Sequence, residues 1–433
     1  MGFIHEHIIL PLSDLAKGEQ VHRHLRELKR LEQASESEMT DYQLQRLHLL
    51  LNHVATAVPF YREWFVANSL APGDIRSLSD LRRLPIVDKA FMRREGVERF
   101  TADGQPDHTS MAARSSGSTG EPFSFYISKE AYSVNMAAKL RTWYQAGYRL
   151  GDRYMKIANG ARHGRLKTLQ DRVNRCVYVP FFAMSDEALA AILEQIERTR
   201  PTIIRSYPTP LFLLAQYRNQ HPGYRFTPRH VMTTGSILPP AYRAEIERAF
   251  GCDVIDSYSC EGTPNTYETT AHDGYRVTRA YGIIEVLDES GEPVSDGVGR
   301  VVSTDLWNLA TPFLRYDTQD LVEVRGGRIQ RILGRECETL IDAGGRRFMV
   351  HNFVGFFQED DRPVRRSVTA YQVVKRKAGG ITFRLVVNEQ YTGKTERYII
   401  DFWQEQLGLP VSVTLVDEIP LMKNNKRLTI VEE

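Results

Sequence analysis

Between Ile203 and Tyr258 short apolar runs alternate with amphipathic helical stretches, and this alternation restricts the chain to the layered α/β class. Ile203-Ile204-Arg205-Ser206-Tyr207, His230-Val231-Met232-Thr233-Thr234-Gly235 and Val254-Ile255-Asp256-Ser257-Tyr258 read as strands running into turns. Pro208 through Tyr217 and Pro240 to Phe250 read as the helices between them. Folds of this class gather their ligands at strand ends, so the residues closing these runs become the first candidates for a site.

The flanking segments have other textures. Residues 19 to 70 are expected to be helical, because Leu44, Leu47, Leu51, Val54 and Val58 recur at steps of three and four. Gln43, Gln45, Arg46, His48 and Asn52 fall between them and suit the wet side, and Pro59-Phe60-Tyr61-Arg62 interrupts the pattern. Ile283 to Leu287, a turn at Ser290-Gly291 and Gly299 to Val302 carry hairpin signals. After Gly334, Val368 to Lys375, Ile381 to Val387 and Val411 to Val416 look like strands, with a turn at Gly379-Gly380 and a helix over Gly393 to Leu407. A chain of 433 residues exceeds one compact core. The expected division is a large domain over 1–334, with layered sheets and helices, and a small α+β domain over 335–433.

Charge and cysteine content narrow the function classes. The net charge of +2 does not suit a nucleic-acid binder. The basic clusters Arg162-His163-Gly164-Arg165 and Arg365-Arg366 read as solvated faces. Cys176, Cys252, Cys260 and Cys337 form no CxxC pair, so reduced thiols in a cytoplasmic compartment are expected. His5, Glu6, His7 and Asp14 break up the N-terminal segment, which therefore lacks the pattern of a signal peptide. No run approaches the roughly 20 apolar residues of a membrane span.

Three segments carry chemistry. Ser115-Ser116-Gly117-Ser118-Thr119-Gly120 combines two glycines with four hydroxyls ahead of the β-like run Phe123 to Ile127. Consecutive N–H groups of such a loop can nest a phosphate, and the same composition also suits a hairpin turn. No Gly-Lys-Ser/Thr follows, so it is not a Walker A loop. Arg315-Tyr316-Asp317-Thr318-Gln319-Asp320 sets an arginine and two carboxylates beside an aromatic; it fits a ribose and phosphate site or a salt-bridged surface turn. Asp256-Ser257-Tyr258-Ser259-Cys260-Glu261 closes a strand with an aromatic able to face adenine and a carboxylate able to hold Mg²⁺.

In this order the segments resemble the adenylate-forming superfamily, most closely its phenylacetate–CoA ligase-like branch and the capsular-polysaccharide-associated proteins within it. Pro59-Phe60-Tyr61-Arg62, Leu84-Pro85 with Lys89, Ser206-Tyr207-Pro208 and Thr234-Gly235 with Leu238 look like further landmarks of that branch. The resemblance implies that Ser115, Ser116, Gly117, Ser118, Thr119 and Gly120 grip the ATP phosphates. It implies that Gly235, Ser236, Asp256, Ser257 and Tyr258 line the adenine site, that Asp320 holds the ribose with Arg335 assisting, and that Glu261 coordinates Mg²⁺. Lys426 looks like the lysine that enters the active site from the small domain, with Lys423 as its competitor. Tyr207, Phe181, Phe182 and His163 are the acyl-pocket candidates by their position along the chain.

The implied reaction is attack of an organic carboxylate on ATP, releasing pyrophosphate and leaving an acyl-adenylate. Lys426 and Mg²⁺ would offset the crowded charge. Transfer to an acceptor follows, with coenzyme A as the default thiol and an amine or hydroxyl as alternatives. The small domain would swing about Gly334 to Cys337 between the two steps. The sequence leaves a homodimer open.

Several positions depart from the family pattern. Glu121 stands where a lysine is common, Ser236 replaces a glutamate, Gln319 replaces a glycine and Cys337 replaces the hinge aspartate. The adenine motif is one residue short, so Ser257 or Tyr258 takes the tyrosine slot. These changes keep a non-catalytic nucleotide-binding relative in view. Some branch members carry zinc after this motif; here Cys260, His272 and Glu268 are nearby, but Thr270 and Arg276 stand near the expected cysteine and histidine.

Overall fold

The computed structural model describes residues 2–114, 124–158, 165–180, 185–260, 262–335, 340–341, 347–348, 352–353, 356–357, 363–377, 379–419 and 429–433. The expected helical region forms three helices, Val21–Leu31, Glu36–Ala57 and Pro59–Ala67. Ser35 caps the second through a capping box with Glu38. Pro59 opens the third helix, where its missing N–H costs nothing.

One expectation fails here. Gln43 does not face water: it is buried, and its Nε2 donates to the carbonyls of Arg279 and Gly282. Arg46 also packs inward, its guanidinium 3.5 Å from the Trp307 ring centroid. A neighbouring sheet covers this side of the helix and supplies acceptors, which a one-helix periodicity cannot reveal.

A two-residue strand, β1 (Val87–Asp88), is followed by the antiparallel pair β2 (Ser110–Arg114) and β3 (Ser124–Ser128). Next comes a seven-stranded sheet: β4 (Tyr154–Ala158), β5 (Cys176–Pro180), β6 (Ile203–Ser206), β7 (His230–Thr234), β8 (Val254–Tyr258), β9 (Thr266–Glu268) and β10 (Tyr275–Val277). Their order is β10-β9-β8-β7-β6-β4-β5. The run from β5 to β8 is parallel, and β9 and β10 add an antiparallel edge. Helices cover both faces, as a parallel sheet requires. Met155, Ile157, Ile204, Val231 and Val254 share one core with the helices Asp186–Thr199, Pro208–Gln220 and Pro240–Phe250. Ile203, Met232 and Ile255 point the other way, into the core shared with helix Lys129–Gln145.

A second sheet comprises β11 (Gly282–Leu287), β12 (Gly297–Asp305), β13 (Tyr316–Arg325) and β14 (Arg328–Arg335). β1 pairs with the start of β13 and β14 with the rest of it. The C-terminal part has a short pair, β15 (Leu340–Ile341) with β16 (Arg347–Phe348). A four-stranded sheet follows: β17 (Val368–Lys375), β18 (Ile381–Val387), β19 (Val411–Leu415) and β20 (Ile430–Glu432), ordered β19-β18-β17-β20. Helix Gly393–Leu407 covers it, and Trp403, Phe353 and Phe383 sit in a core of its own.

Candidate active site

The site lies where the parallel strands end. β7 runs out at Thr234, and Gly235 follows with φ of +78°. A Cβ on Gly235 would stand 2.8 Å from Cε1 of Tyr207, so the backbone and the ring meet at a distance only glycine permits. Tyr207 itself follows β6 and occupies the position just before helix Pro208–Gln220. Ser236 is exposed, and Ile237 packs against the core of the C-terminal part. The loop leaving β7 therefore touches both bodies.

β8 ends at Tyr258, whose hydroxyl donates to Asp320 Oδ2 at 2.7 Å. Burial, with the Asp320 charge beside it, raises the Tyr258 pKa well above its ordinary value, so the phenol keeps its proton. Asp320 is almost wholly buried and stands opposite Arg335 in the β13–β14 ladder; the Arg335 side chain lies outside the described residues. Just before Asp320, β13 passes from its pairing with β1 to its pairing with β14. Gln319 sits at that handover with φ of +61°. Its N–H donates to Asp317 Oδ1 at 2.8 Å, and the Asp320 N–H donates to Thr318 Oγ1 at 3.1 Å. This left-handed backbone is one that glycine adopts freely. Gln319 adopts the conformation without that freedom.

Asp256 is held from behind. Its two oxygens accept from Thr233 Oγ1 at 2.5 Å and from the Tyr275 hydroxyl at 2.7 Å. Burial raises its pKa, and those two hydrogen bonds oppose the rise. Glu268 accepts from Arg243 at 2.5 Å and from the Asp256 N–H at 3.0 Å. This network ties β7, β8 and the antiparallel edge together beneath Tyr258. Ser257 is partly buried, and its Oγ donates to Asn265 Oδ1 at 3.4 Å. Glu268 is thus occupied by an arginine, and among the described residues no group of three metal-ligating side chains forms.

Several predicted residues lie outside the described residues: Ser115, Ser116, Gly117, Ser118, Thr119, Gly120, Glu121, Glu261, Lys423, Lys426, His163, Phe181, Phe182 and Cys337. The structure brings together Tyr207 with Gly235, and Tyr258 with Asp320. It also assembles Lys139, Lys156 and Arg205 on one face of the sheet, a grouping that sequence reading missed. The available signal was an arginine in the otherwise apolar run Ile203-Ile204-Arg205.

The sequence matches no family model. It is 28% identical over 353 residues to a phenylacetate–coenzyme A ligase of Aromatoleum evansii, covering 73% of this chain and 75% of that one. It is 23% identical over 333 residues to the protein CapK of Staphylococcus aureus, covering 72% and 71%. Among solved structures, a 2-hydroxyisobutyryl-CoA ligase in the postadenylation state superposes with a TM-score of 0.72 at 19% identity, over 92% of this chain and 90% of that one. The chain has the adenylate-forming CoA ligase fold. Its sequence relatives are phenylacetate–CoA ligases and CapK, the branch expected from the motifs. Among the described residues no helix is long and apolar enough to cross a membrane.

Proposed function

We propose that the chain is an AMP-forming ligase that converts an organic carboxylate and ATP into an acyl-adenylate and pyrophosphate, then passes the acyl group to an acceptor thiol. The observation that carries the reading is the Tyr258–Asp320 pair at the meeting of β8 and β13. A buried carboxylate beside an aromatic at a strand end suits a ribose, whose hydroxyls donate, and an adjoining planar base. Gly235 lets the backbone come close on the other side.

On this reading Ser115 to Gly120 hold the β- and γ-phosphates by N–H and hydroxyl donors. Glu261 would hold Mg²⁺, which supplies charge neutralisation at the phosphates. Lys426 offsets the charge that builds up as the carboxylate attacks the α-phosphorus. Asp256 acts from behind the site, fixing β8 through Thr233 and Tyr275. Residues 335–433 act as the lid, with Ile237 as one contact against it in the present arrangement. Coenzyme A, which the phenylacetate–coenzyme A ligase relatives carry in their name, is the acceptor of first choice. A cytoplasmic location accords with the use of ATP.

The test is AMP and pyrophosphate release from ATP over a panel of aryl and aliphatic acids, with coenzyme A and amines offered as acceptors. The expected result is acid-dependent AMP formation, abolished in Lys426→Ala. ATP binding without pyrophosphate exchange for any acid would overturn the enzyme reading. Loss of adenylation in Lys423→Ala with Lys426→Ala intact would move the lysine role to Lys423.

A further inference from the structure

The first helix of the chain is turned inside out. Gly2–Ile4, a wider π-type stretch at His5–Ile9 and Leu10–Lys17 run on without a break, and Gly18 ends them with φ of +65°. A helix on a protein surface normally buries its apolar stripe and shows its charges. Here the acids point inward. Glu6 accepts from Lys29 and from the Tyr144 hydroxyl at 2.7 Å, and buried Asp14 accepts from the His22 N–H at 2.7 Å. Phe3, Ile4, Ile8, Leu12 and Leu15 point outward along one ridge, with Phe3 73% and Leu15 81% exposed. The ridge has a neighbour of the same character. His5 Nε2 donates to the Val173 carbonyl at 3.2 Å, which sets helix Arg165–Val173 alongside, and its Leu169 and Val173 are exposed too. A contiguous apolar ridge on the outside of a folded chain marks a surface that something covers.

The charges beside the ridge fit one kind of cover. Helix Val21–Leu31 runs antiparallel to the first, with Lys29 at Glu6 and His22 at Asp14. Over residues 2–31, Lys17, Arg23, Arg26 and Arg30 are exposed, whereas Glu6, Asp14, Glu19 and Glu27 are buried or half-buried. Lys17 stands 3.9 Å from Glu19, and Arg23 donates to the neutral Gln20 Oε1 at 2.7 Å. Arg26 and Arg30 form no ion pair among the described residues. Arg26 adjoins the ridge: the Phe3 ring lies 4.5 Å from that of His7, His7 lies 6.1 Å from His22, and Arg26 follows His22 by one helical turn. The face is therefore apolar along its crest and cationic along its side. A second copy of the chain would set these cations against one another, because a two-fold contact uses the same patch twice. An anionic bilayer answers both features, its acyl boundary taking the crest and its headgroups the arginines.

We infer that the helix over residues 2–17 seats the protein on the surface of an anionic membrane, lying in the plane of the headgroups without crossing them. This seat is independent of the adenylation proposed above.

The test is co-sedimentation of the full chain with phosphatidylcholine vesicles and with vesicles in which about a third of the lipid is phosphatidylglycerol. The expected result is a partition coefficient at least tenfold higher on the anionic vesicles. Ile8→Ser combined with Leu12→Ser lowers it at least tenfold and leaves the urea midpoint unchanged, because both side chains already face solvent. Arg26→Gln lowers it about fivefold on the anionic vesicles alone, the share of one basic residue at such a surface. Equal binding to the two vesicles, binding to neither, or wild-type binding by the double variant or by Arg26→Gln would each overturn the inference. So would a lipid-free dimer, seen by sedimentation velocity, that the double variant separates, since a second copy would then cover the ridge. Should the double variant fail to fold, Leu15→Ser, at the most exposed of the five positions, carries the same comparison.

Discussion

The Tyr258 hydroxyl donates to Asp320 Oδ2 at 2.7 Å, and this bond joins the seven-stranded sheet to the second sheet at the strand ends. A hydrogen bond to a charged acceptor contributes about 1.5–3 kcal/mol. Tyr258→Phe keeps the ring and removes the donor, leaving the Asp320 carboxylate to reorient. The expected outcome is a KM for ATP raised roughly tenfold or more, with a smaller loss of stability. Steady-state AMP formation and urea unfolding on the same variant separate the two effects. An unchanged KM would mean that the pair only fastens the sheets.

Gln319 tests how β13 is bent. Its φ of +61° costs a residue other than glycine about 1–2 kcal/mol. Gln319→Gly relieves this but gives up the weak Nε2 contact to Asp88 at 3.4 Å and adds freedom to the unfolded chain. Stability is therefore expected to stay within about 1 kcal/mol of wild type. Gln319→Val places a β-branched side chain in the same conformation and should lose roughly 2 kcal/mol or more. Denaturant midpoints of the two variants check this, and equal midpoints would show that the bend yields to the side chain.

Much of the fold was legible because its periodicities are local. Pro240 to Phe250, Val254 to Tyr258 and Gly393 to Leu407 are bounded by proline or glycine signals, and the observed elements have those same limits. What sequence could not give was contact between elements. Gln43 looked solvent-facing because the acceptors that bury it, at Arg279 and Gly282, lie more than 200 residues away. Asp256 invited a ligand role by closing a strand, yet Thr233 and Tyr275 take up both its oxygens. Lys139 and Arg205 carry no mark in the sequence, because a helix and a strand bring these residues, 66 positions apart, together only in three dimensions.

Asp305 predicts a pH dependence. It is buried and accepts from the N–H groups of Trp307 at 2.8 Å and Asn308 at 3.1 Å, while burial pushes its carboxyl up to about 6. The unfolded carboxyl titrates near ~3.9. Between these values the native state binds more protons, so this group's contribution to stability falls as pH rises and is fully lost above pH 6. The cost is at most about 3 kcal/mol. Asp305→Asn retains an acceptor for the two N–H groups and removes the titration. Its stability measured from pH 4 to 7 should lack the falling component seen in wild type; parallel curves would contradict the assignment.

Glu285 and Arg315 form a two-pronged pair, with Nε to Oε2 at 3.0 Å and Nη2 to Oε1 at 2.9 Å. Arg315 is buried and also donates from Nη1 to the Leu84 carbonyl at 2.8 Å. Removing one partner strands a buried charge, so Glu285→Ala is expected to lose roughly 3–5 kcal/mol. Replacing both residues with methionine removes the stranded charge and should cost less than Glu285→Ala alone. Urea unfolding of the single and double variants decides it: a double variant weaker than the single would show that the pair itself, and not the uncompensated arginine, sets the loss.

Gly235→Ala meets two separate costs. The backbone at φ of +78° strains any residue with a Cβ, and the new methyl stands 2.8 Å from Tyr207 Cε1. Together these should lower stability by about 2 kcal/mol. They should also lower kcat/KM for ATP at least tenfold, because the strand end at Thr234 and the Tyr207 ring must separate. Adding Tyr207→Ala removes the collision and leaves the backbone strain, so the double variant should regain part of the stability and none of the activity. Thermal unfolding and AMP formation are read on both proteins. A single variant with wild-type kcat/KM would show that the approach of Tyr207 to Gly235 does not shape the nucleotide pocket.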